Sequence, residues 1–315
     1  MNKLEELGFN RGLTSTEYVL NIIDNFLKII DNRDFTRKFL ETYNRVIRER
    51  PSNSASINIL RKIGEYIISN GFSNIDDFLI KMRENILKSC RESAIVASNR
   101  VVDNDIILTN SNSLCMKYLF KQLVDNSIKY KVFVAESRPG MESFDLINYL
   151  DELGVETYFI IDSAMRFFVK KVSKVIVSSE SIAINGAVVS KIGTSLLSLI
   201  AKESRIRVFV IAPLYKLSFE TIYGELLRLP EGDWRLLMNE SIRRELPENY
   251  VARVPLFDVT PPEYIDGLAT ENGLFAPQAI PAVLKQVYGM FPPIVKPINE
   301  IISKIKEMYE KGVFH

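Results

Sequence analysis

From about Val101 onward the chain alternates short, continuously apolar runs with stretches of helical length, and few architectures accept that pattern. The runs are Ile106-Ile107-Leu108, Lys131 to Ala135, Thr157 to Ile161, Lys174 to Val177 and Val208 to Ala212, all rich in β-branched residues. A strand with one wet face would alternate polar and apolar residues. These runs do not, so the pattern predicts strands buried on both faces, as in a parallel sheet. The segments between them, such as Ser143 to Leu153 and Ser163 to Val172, have the length of crossover helices. Repeated βαβ units predict an α/β fold: a Rossmann-like, doubly wound parallel-sheet domain.

The first hundred residues read differently. Thr14-Ser15-Thr16-Glu17 has the form of a capping box, followed by Tyr18, Leu20, Ile22, Ile23, Phe26, Leu27 and Ile30 on one apolar face. Further helices are expected from Thr36 to Arg48, ended by Pro51, from the Ser52-Asn53-Ser54 cluster to Gly71, and from about Asn74 to Ala97. After the last apolar run come Pro-rich turns around Arg253-Val254-Pro255 and Phe257 to Pro262. Beyond Pro297, Ile298, Ile301, Ile302, Ile305 and Met308 share one helical stripe. That stripe suits a helix packed on its own domain or a second copy, or one that docks on another protein. The expected organisation is a helical N-terminal domain over 1–100, the α/β domain over 101–290 and a C-terminal helical extension over 291–315.

Residue counts exclude several chemistries. Of the 315 residues, Lys and Arg number 40 and Asp and Glu 39, so a net charge of +1 gives no global reason to bind nucleic acid or a membrane. The only histidine is His315, which excludes a buried catalytic His, Ser-His-Asp and Cys-His machinery and His-ligated zinc. Cys90 and Cys115 are too few for a metal-binding cluster, and they read as reduced thiols in a cytoplasmic protein. The N-terminal segment lacks an apolar signal core, and no apolar stretch reaches the roughly 18 residues of a membrane span. No G-x-G-x-x-G or P-loop occurs, and neither a metal nor a cofactor is expected.

In an open parallel sheet ligands bind beyond the carboxyl ends of the strands, so the residues there are the site candidates. The first strand runs into Thr109-Asn110-Ser111-Asn112-Ser113, a junction suited to a phosphate at a helix N-terminus or to plain capping. Glu136-Ser137-Arg138-Pro139 after the second strand is a site or a locked structural pair. After the fourth strand come Ser178-Ser179-Glu180, an Asn185-Gly186 hairpin turn, and Ser190-Lys191 ahead of a helix through Leu196 and Ile200. A cation near a helix N-terminus is unfavourable alone, so Lys191 points to an anionic ligand or is an ordinary surface lysine.

Taken in order, Glu136-Ser137-Arg138-Pro139, Asp162-Ser163-Ala164, Asn185-Gly186, Lys191-Ile192-Gly193-Thr194, Ala212-Pro213 and Phe257 to Pro262 resemble the family of the alpha, beta and delta regulatory subunits of eukaryotic translation initiation factor 2B. That family has archaeal homologues and includes methylthioribose-1-phosphate and ribose-1,5-bisphosphate isomerases. The resemblance spans roughly 100–285 and extends weakly to Arg11-Gly12 and Arg50-Pro51-Ser52. It implies a helical domain on a Rossmann-like domain, dimers through the latter and a sugar-phosphate cleft between the two. It implies ligand contacts at Arg11, Gly12, Arg50, Ser111, Arg138, Glu142, Glu180, Asn185, Gly186, Ser190 and Lys191. The isomerases resembled carry a catalytic Cys where Ser111 stands, after a His where Asn110 stands, and a catalytic Asp where Glu180 stands.

With both reactive groups changed, the expectation is a non-catalytic regulatory subunit: a homodimer binding the alpha subunit of translation initiation factor 2, with a cleft sensing a sugar phosphate or nucleotide. The alternative is an aldose-ketose isomerase with an altered site, using Glu180 as acid/base and Ser111 in place of the thiol. A scaffold with an empty cleft is the third reading. Cys115, one helical turn beyond Ser111, reads as a buried small hydrophobe rather than a displaced nucleophile.

Overall fold

Local capping chemistry starts the helices where the sequence indicates. In the computed structural model, which describes residues 12–29, 31–247 and 249–313, helix α1 (Ser15–Phe26) opens on the Thr14–Glu17 capping box. The Thr14 N–H donates to the Glu17 carboxylate at 3.0 Å, and the Glu17 N–H donates to Thr14 Oγ1 at 3.4 Å. Helix α2 (Asn32–Glu49) begins earlier than the expected Thr36, because Asp31 caps it by accepting from the Asp34 N–H. Asn53 caps α3 (Ser54–Asn70), and Gly71, at φ +63°, ends it. Helix α4 (Ile75–Ser98) has two jobs. Leu79, Met82 and Ile86 pack among the N-terminal helices, while Cys90, Ala94 and Ala97 pack on the sheet.

The α/β part follows in chain order: β1 (Asp105–Asn110), α5 (Leu114–Asp125), β2 (Tyr130–Ala135), α6 (Ser143–Glu152), β3 (Thr157–Ile160), α7 (Met165–Phe168) and β4 (Lys174–Ser178). Then come β5 (Ser181–Ile182), β6 (Val188–Lys191), α8 (Thr194–Glu203), β7 (Arg207–Ile211), α9 (Glu240–Arg244), β8 (Phe257–Thr260), β9 (Gly267–Thr270), β10 (Gly273–Phe275), α10 (Ile280–Tyr288) and α11 (Ile298–Glu310). Seven strands form one sheet in the order β10-β9-β7-β4-β1-β2-β3, parallel throughout except β10 at one edge. Val175, Val177, Val208 and Val210 face one apolar layer; Ile107, Val132, Val134 and Ile211 face the other. From β2 through β1, β4 and β7 both faces are covered, which is why those runs are continuously apolar; the edge strand β3 departs from the expectation, leaving Tyr158 and Phe159 exposed.

Between β4 and β9 the chain builds a second, three-stranded sheet, β5-β6-β8. The Asn185-Gly186 hairpin joins β5 and β6 as expected, with Gly186 at φ +85°. The segment from Phe257, read as turns, is a strand instead. It pairs antiparallel with β6 across some seventy residues of chain, Lys191 opposite Phe257 and Val188 opposite Thr260. The crossover read as one helix from Ser163 to Val172 is a short helix, α7, between two single 3₁₀ turns.

The C-terminal stripe packs on the chain's own N-terminal helices. Ile298, Ile301 and Ile305 of α11 are buried against α2 and α3, each contributing about 1.5–3 kcal/mol. Gly64 makes the approach close: a Cβ there would lie 2.3 Å from the Ile301 Cγ2 methyl. Polar bonds fix the helical part over the sheet. Ser181 Oγ donates to the Ser52 carbonyl and accepts from the Ser54 N–H, and Asn58 Nδ2 donates to the Tyr215 and Leu217 carbonyls at 3.0 and 2.7 Å. The buried Arg61 guanidinium pairs with Glu220.

The cysteines correct the sequence reading. Cys90 of α4 and Cys115 of α5 form a disulfide and are fully buried. Cys115 is therefore neither a free hydrophobe nor a nucleophile, and the inference of a reducing compartment loses its basis. Among the described residues no helix is long and apolar enough to cross a membrane.

Candidate active site

The strand order runs outward from β1 through β2 and β3 on one side and through β4, β7 and β9 on the other. The direction of winding therefore reverses between β1 and β4, and at such a switch point the two following loops diverge and leave a crevice. A cavity of about 260 Å³ lies there. Asn110 to Ser113 after β1 and Ser178 to Glu180 after β4 form its floor. The helical part closes it from above with Gly12 to Ser15 and Glu49-Arg50.

The β1 loop is held in a costly conformation. Ser111 and Ser137 sit at φ +63° and +60°, the left-handed region few non-glycine residues occupy. A chain of hydrogen bonds fixes them. The Ser111 N–H donates to Ser137 Oγ at 2.6 Å and Ser143 Oγ at 3.0 Å. The N–H groups of Ser137 and Arg138 donate to the two Asp162 carboxylate oxygens at 2.9 and 2.7 Å. The Ser137 and Asp162 motif residues thus act as a brace that sets Ser111 at the cavity.

Several buried polar atoms around the cavity find no protein partner: Arg50 Nη1, Asn112 Oδ1, Glu142 Oε2 and Glu180 Oε1. Buried polar atoms are normally satisfied, so such a cluster marks where a polar ligand or water completes the bonding. Glu180 is buried, and its carboxyl has Lys216 as a neighbour. Lys216 is buried too. Its Nζ donates to the Ser179 carbonyl at 2.6 Å, and burial lowers its pKa to about 8 while the Glu180 charge opposes that fall. The Arg50 guanidinium lies 4.8 Å from the centre of the Tyr18 ring. The first turn of α5 carries no side-chain cap, which leaves its N–H groups open beside Asn112 and Ser113.

Lys191 is placed otherwise than read. It ends β6, and its ammonium is paired with Glu142. The positive N-terminus of α8 is answered by Asp258, whose Oδ2 accepts from the Gly193 and Ser195 N–H groups at 2.8 and 3.1 Å. Burial nonetheless pushes the Asp258 carboxyl up to about 6. Both charges that suggested an exogenous anion at α8 therefore have partners within the chain.

Of the sequence candidates, Gly12, Arg50, Ser111, Glu142, Glu180 and Lys191 line the cavity. Arg11 lies outside the described residues. Four candidates do not line it. Asn185 uses its Oδ1 to accept from the Ala187 N–H, and Gly186 packs against the Pro277 carbonyl, so this turn is structural. Ser190 Oγ donates to the Ser178 carbonyl beneath the floor. Arg138 Nη2 donates to the Leu237 carbonyl at 2.8 Å. Lys216, Leu236 and Leu256 were missed by sequence reasoning. Lys216 had a signal: a lone charge within the apolar run Leu214 to Leu217 just past a strand end. Among the described residues no group of three or more His, Cys, Asp or Glu could hold a metal ion.

Known proteins resemble the chain over most of its length. The ribose 1,5-bisphosphate isomerase of Methanocaldococcus jannaschii is 31% identical over 278 residues, covering 87% of this chain and 86% of that protein. A putative translation initiation factor eIF-2B subunit 2-like protein of Pyrococcus abyssi is 30% identical over 237 residues, covering 75% and 80%. The crystal structure of 5-methylthioribose 1-phosphate isomerase from Pyrococcus horikoshii OT3 superposes with a TM-score of 0.68 over 87% of this chain and 84% of that one. At 20% identity that likeness speaks for the fold alone. The expectation of a non-catalytic regulatory subunit is corrected by these relatives, because several of them bear the name of an enzyme, ribose 1,5-bisphosphate isomerase. The model of the initiation factor 2 subunit family matches residues 19–277, and the chain belongs to that family.

Proposed function

We propose that the chain is an aldose-ketose isomerase acting on a ribose phosphate of the ribose 1,5-bisphosphate type. The observation that carries this reading is Glu180: a buried carboxylate at the switch point, with Oε1 unpartnered in a cavity that also holds Arg50 and Lys191. The printed names of the isomerase relatives support it.

The chemistry needs little more than proton handling and a fixed anion. On ribose 1,5-bisphosphate, whose O1 carries phosphate, the C1–O4 ring bond breaks and O4 takes a proton. The C2 proton leaves to give a C1=C2 enol, C1 takes a proton back, and O2 gives up its proton as the C2 carbonyl forms. One positioned carboxylate can take the proton and give it back. Glu180 is the carboxylate whose oxygen lacks a protein partner at the cavity floor. Lys216 stands behind Glu180, outside the cavity lining and bonded to the Ser179 carbonyl, so it acts on the site only through its charge on Glu180. Arg50 Nη1 and the uncapped first turn of α5 offer donors to a phosphate. A second phosphate group competes with Glu142 for Lys191. Ser111 supplies a hydroxyl hydrogen bond where the resembled isomerases carry a thiol.

Glu180→Gln keeps the shape of the site and removes its proton exchange. The variant is expected to bind ribose 1,5-bisphosphate in calorimetry as the parent does, and to lose about 10²–10⁴-fold in kcat. Equal rates in parent and variant contradict the assignment. The same reading keeps a homodimer through the α/β domain, where β3 is an edge strand that exposes Phe159 beside Ile161 and Phe167. Light scattering giving a monomer's mass contradicts that part.

A further inference from the structure

Residues 233–253 leave and rejoin the α/β domain at one narrow neck. There the Gly232 N–H donates to the Val254 carbonyl at 2.7 Å and the Leu256 N–H donates to the Pro230 carbonyl at 3.3 Å. Glu231 bridges to Pro255 through the backbone and pairs with Arg253 through its side chain. The loop so closed carries little core: Ile242, Leu246 and Val251 are exposed, the last at 82%. Yet Leu236 from the loop, with Leu256 at its neck, lines the cavity alongside Leu13 and Phe257. A segment with few buried contacts is the part of a fold that opens at low cost.

Arg138 holds this loop in place. Its Nη2 donates to the Leu237 carbonyl, one residue from Leu236. Arg138 is itself fixed by Asp162, in the turn that continues through Gly140 and Glu142 at the cavity. Glu142 is paired with Lys191, and both line the cavity, so the turn that carries Arg138 is anchored at the site itself. The site and the loop therefore meet in one short segment, residues 138–142.

We propose that Arg138 is a positioning residue for the bound sugar phosphate: it latches the 233–253 loop so that Leu236 closes the cavity over the ligand and slows its escape. The proposal rests on the isomerase reading for the identity of the ligand, but the latch itself has a ligand-free signature. The chain's sole tryptophan, Trp234, lies two residues from Leu236, with the Arg235 and Arg243 guanidinium groups 5.0 and 4.5 Å from its ring centre. Its emission reports on the loop.

The test uses the full chain, its Arg138→Ala variant and, from the loop side, Leu236→Ala. Without ligand, acrylamide quenching of Trp234 is expected to rise in Arg138→Ala. With ribose 1,5-bisphosphate, stopped-flow emission is expected to show dissociation faster by about tenfold in both variants, with association nearly unchanged. Quenching and dissociation rates equal to the parent's overturn the proposal while leaving the isomerase reading intact. Calorimetry that finds no binding of ribose 1,5-bisphosphate to the parent overturns that reading, and an unchanged quenching in the same samples removes the latch with it. If Arg138→Ala does not fold, Arg138→Gln, which keeps the stem and loses the guanidinium, takes its place, and quenching and dissociation equal to the parent's in that variant overturn the proposal.

Discussion

Breaking the Cys90–Cys115 disulfide is expected to lower stability by about 3.5 kcal/mol at 25 °C. The bridge closes a segment with a sequence separation of 25. Loop-closure entropy for n of that size amounts to about 12 cal/mol/K withheld from the unfolded chain, which yields the figure above. Against an unfolding entropy of roughly 2.1 cal/mol/K per residue, that corresponds to a Tm lower by about 5 °C. Both cysteines are fully buried, so a phosphine reductant reaches the bridge only once the chain opens. Thermal melts followed by circular dichroism, with and without reductant, measure the effect. The expected result is a transition shifted down by reductant with the native baseline unchanged. Cys90→Ala should melt low in both conditions and respond to neither. Superimposable melts for the parent, together with two titratable thiols in the unreduced, denatured chain, refute the reasoning.

Three other perturbations test separate parts of the account. Ser111→Cys restores the thiol of the resembled isomerases at a position whose left-handed backbone already holds a side chain; kcat is expected to rise by about tenfold or more, and an unchanged kcat in the steady-state assay contradicts the role given to this position. Asp258 has its folded pKa raised to about 6 by burial, so the folded state holds its proton more tightly than the unfolded one. Stability should therefore fall as pH rises from about 4 to 6, and Asp258→Asn should remove that component of the slope in urea titrations at several pH values. Gly64→Ala sets a methyl 2.3 Å from Ile301 Cγ2; it is expected to cost about 1–3 kcal/mol by overpacking. Adding Ile301→Ala should recover part of that cost, and purely additive losses in denaturant melts count against the close approach of α3 and α11.

Local signals made much of the fold legible. Thr14, Asn53 and Gly71 act as the caps their types suggest, because capping depends on a few neighbouring residues. Four of the five β-branched runs became strands buried on both faces, which leaves a continuous apolar signature, while the fifth, Thr157–Ile160, became an edge strand with Tyr158 and Phe159 exposed. What escaped is non-local or short. Gly267–Thr270 and Gly273–Phe275 complete the main sheet yet carry too few apolar residues to declare themselves. Phe257–Thr260 becomes a strand only because β6 is there to pair with it.

The site divides in the same way. Its floor follows from where strands end, so Ser111 and Glu180 were readable from the sequence. Pairings were not. Nothing in sequence spacing joins Lys191 to Glu142, Asp258 to the N-terminus of α8, or Cys90 to Cys115, since each pair meets only through tertiary packing. The same motif residues also serve opposite ends. Asn185, Gly186 and Ser190 hold the scaffold, while Glu180 and Lys191 beside them in sequence face the cavity. Replacing a Cys and an Asp by Ser111 and Glu180 suggested lost catalysis, but Glu180 preserves a carboxylate at the cavity floor.

The most direct measurement is a ¹³C NMR time course on ribose 1,5-bisphosphate labelled at C1, incubated with the purified chain. The account predicts that the anomeric resonance decays and a phosphorylated methylene resonance grows in its place, at a rate proportional to the concentration of the chain. A label that stays at the anomeric position, decaying no faster than in buffer, contradicts it.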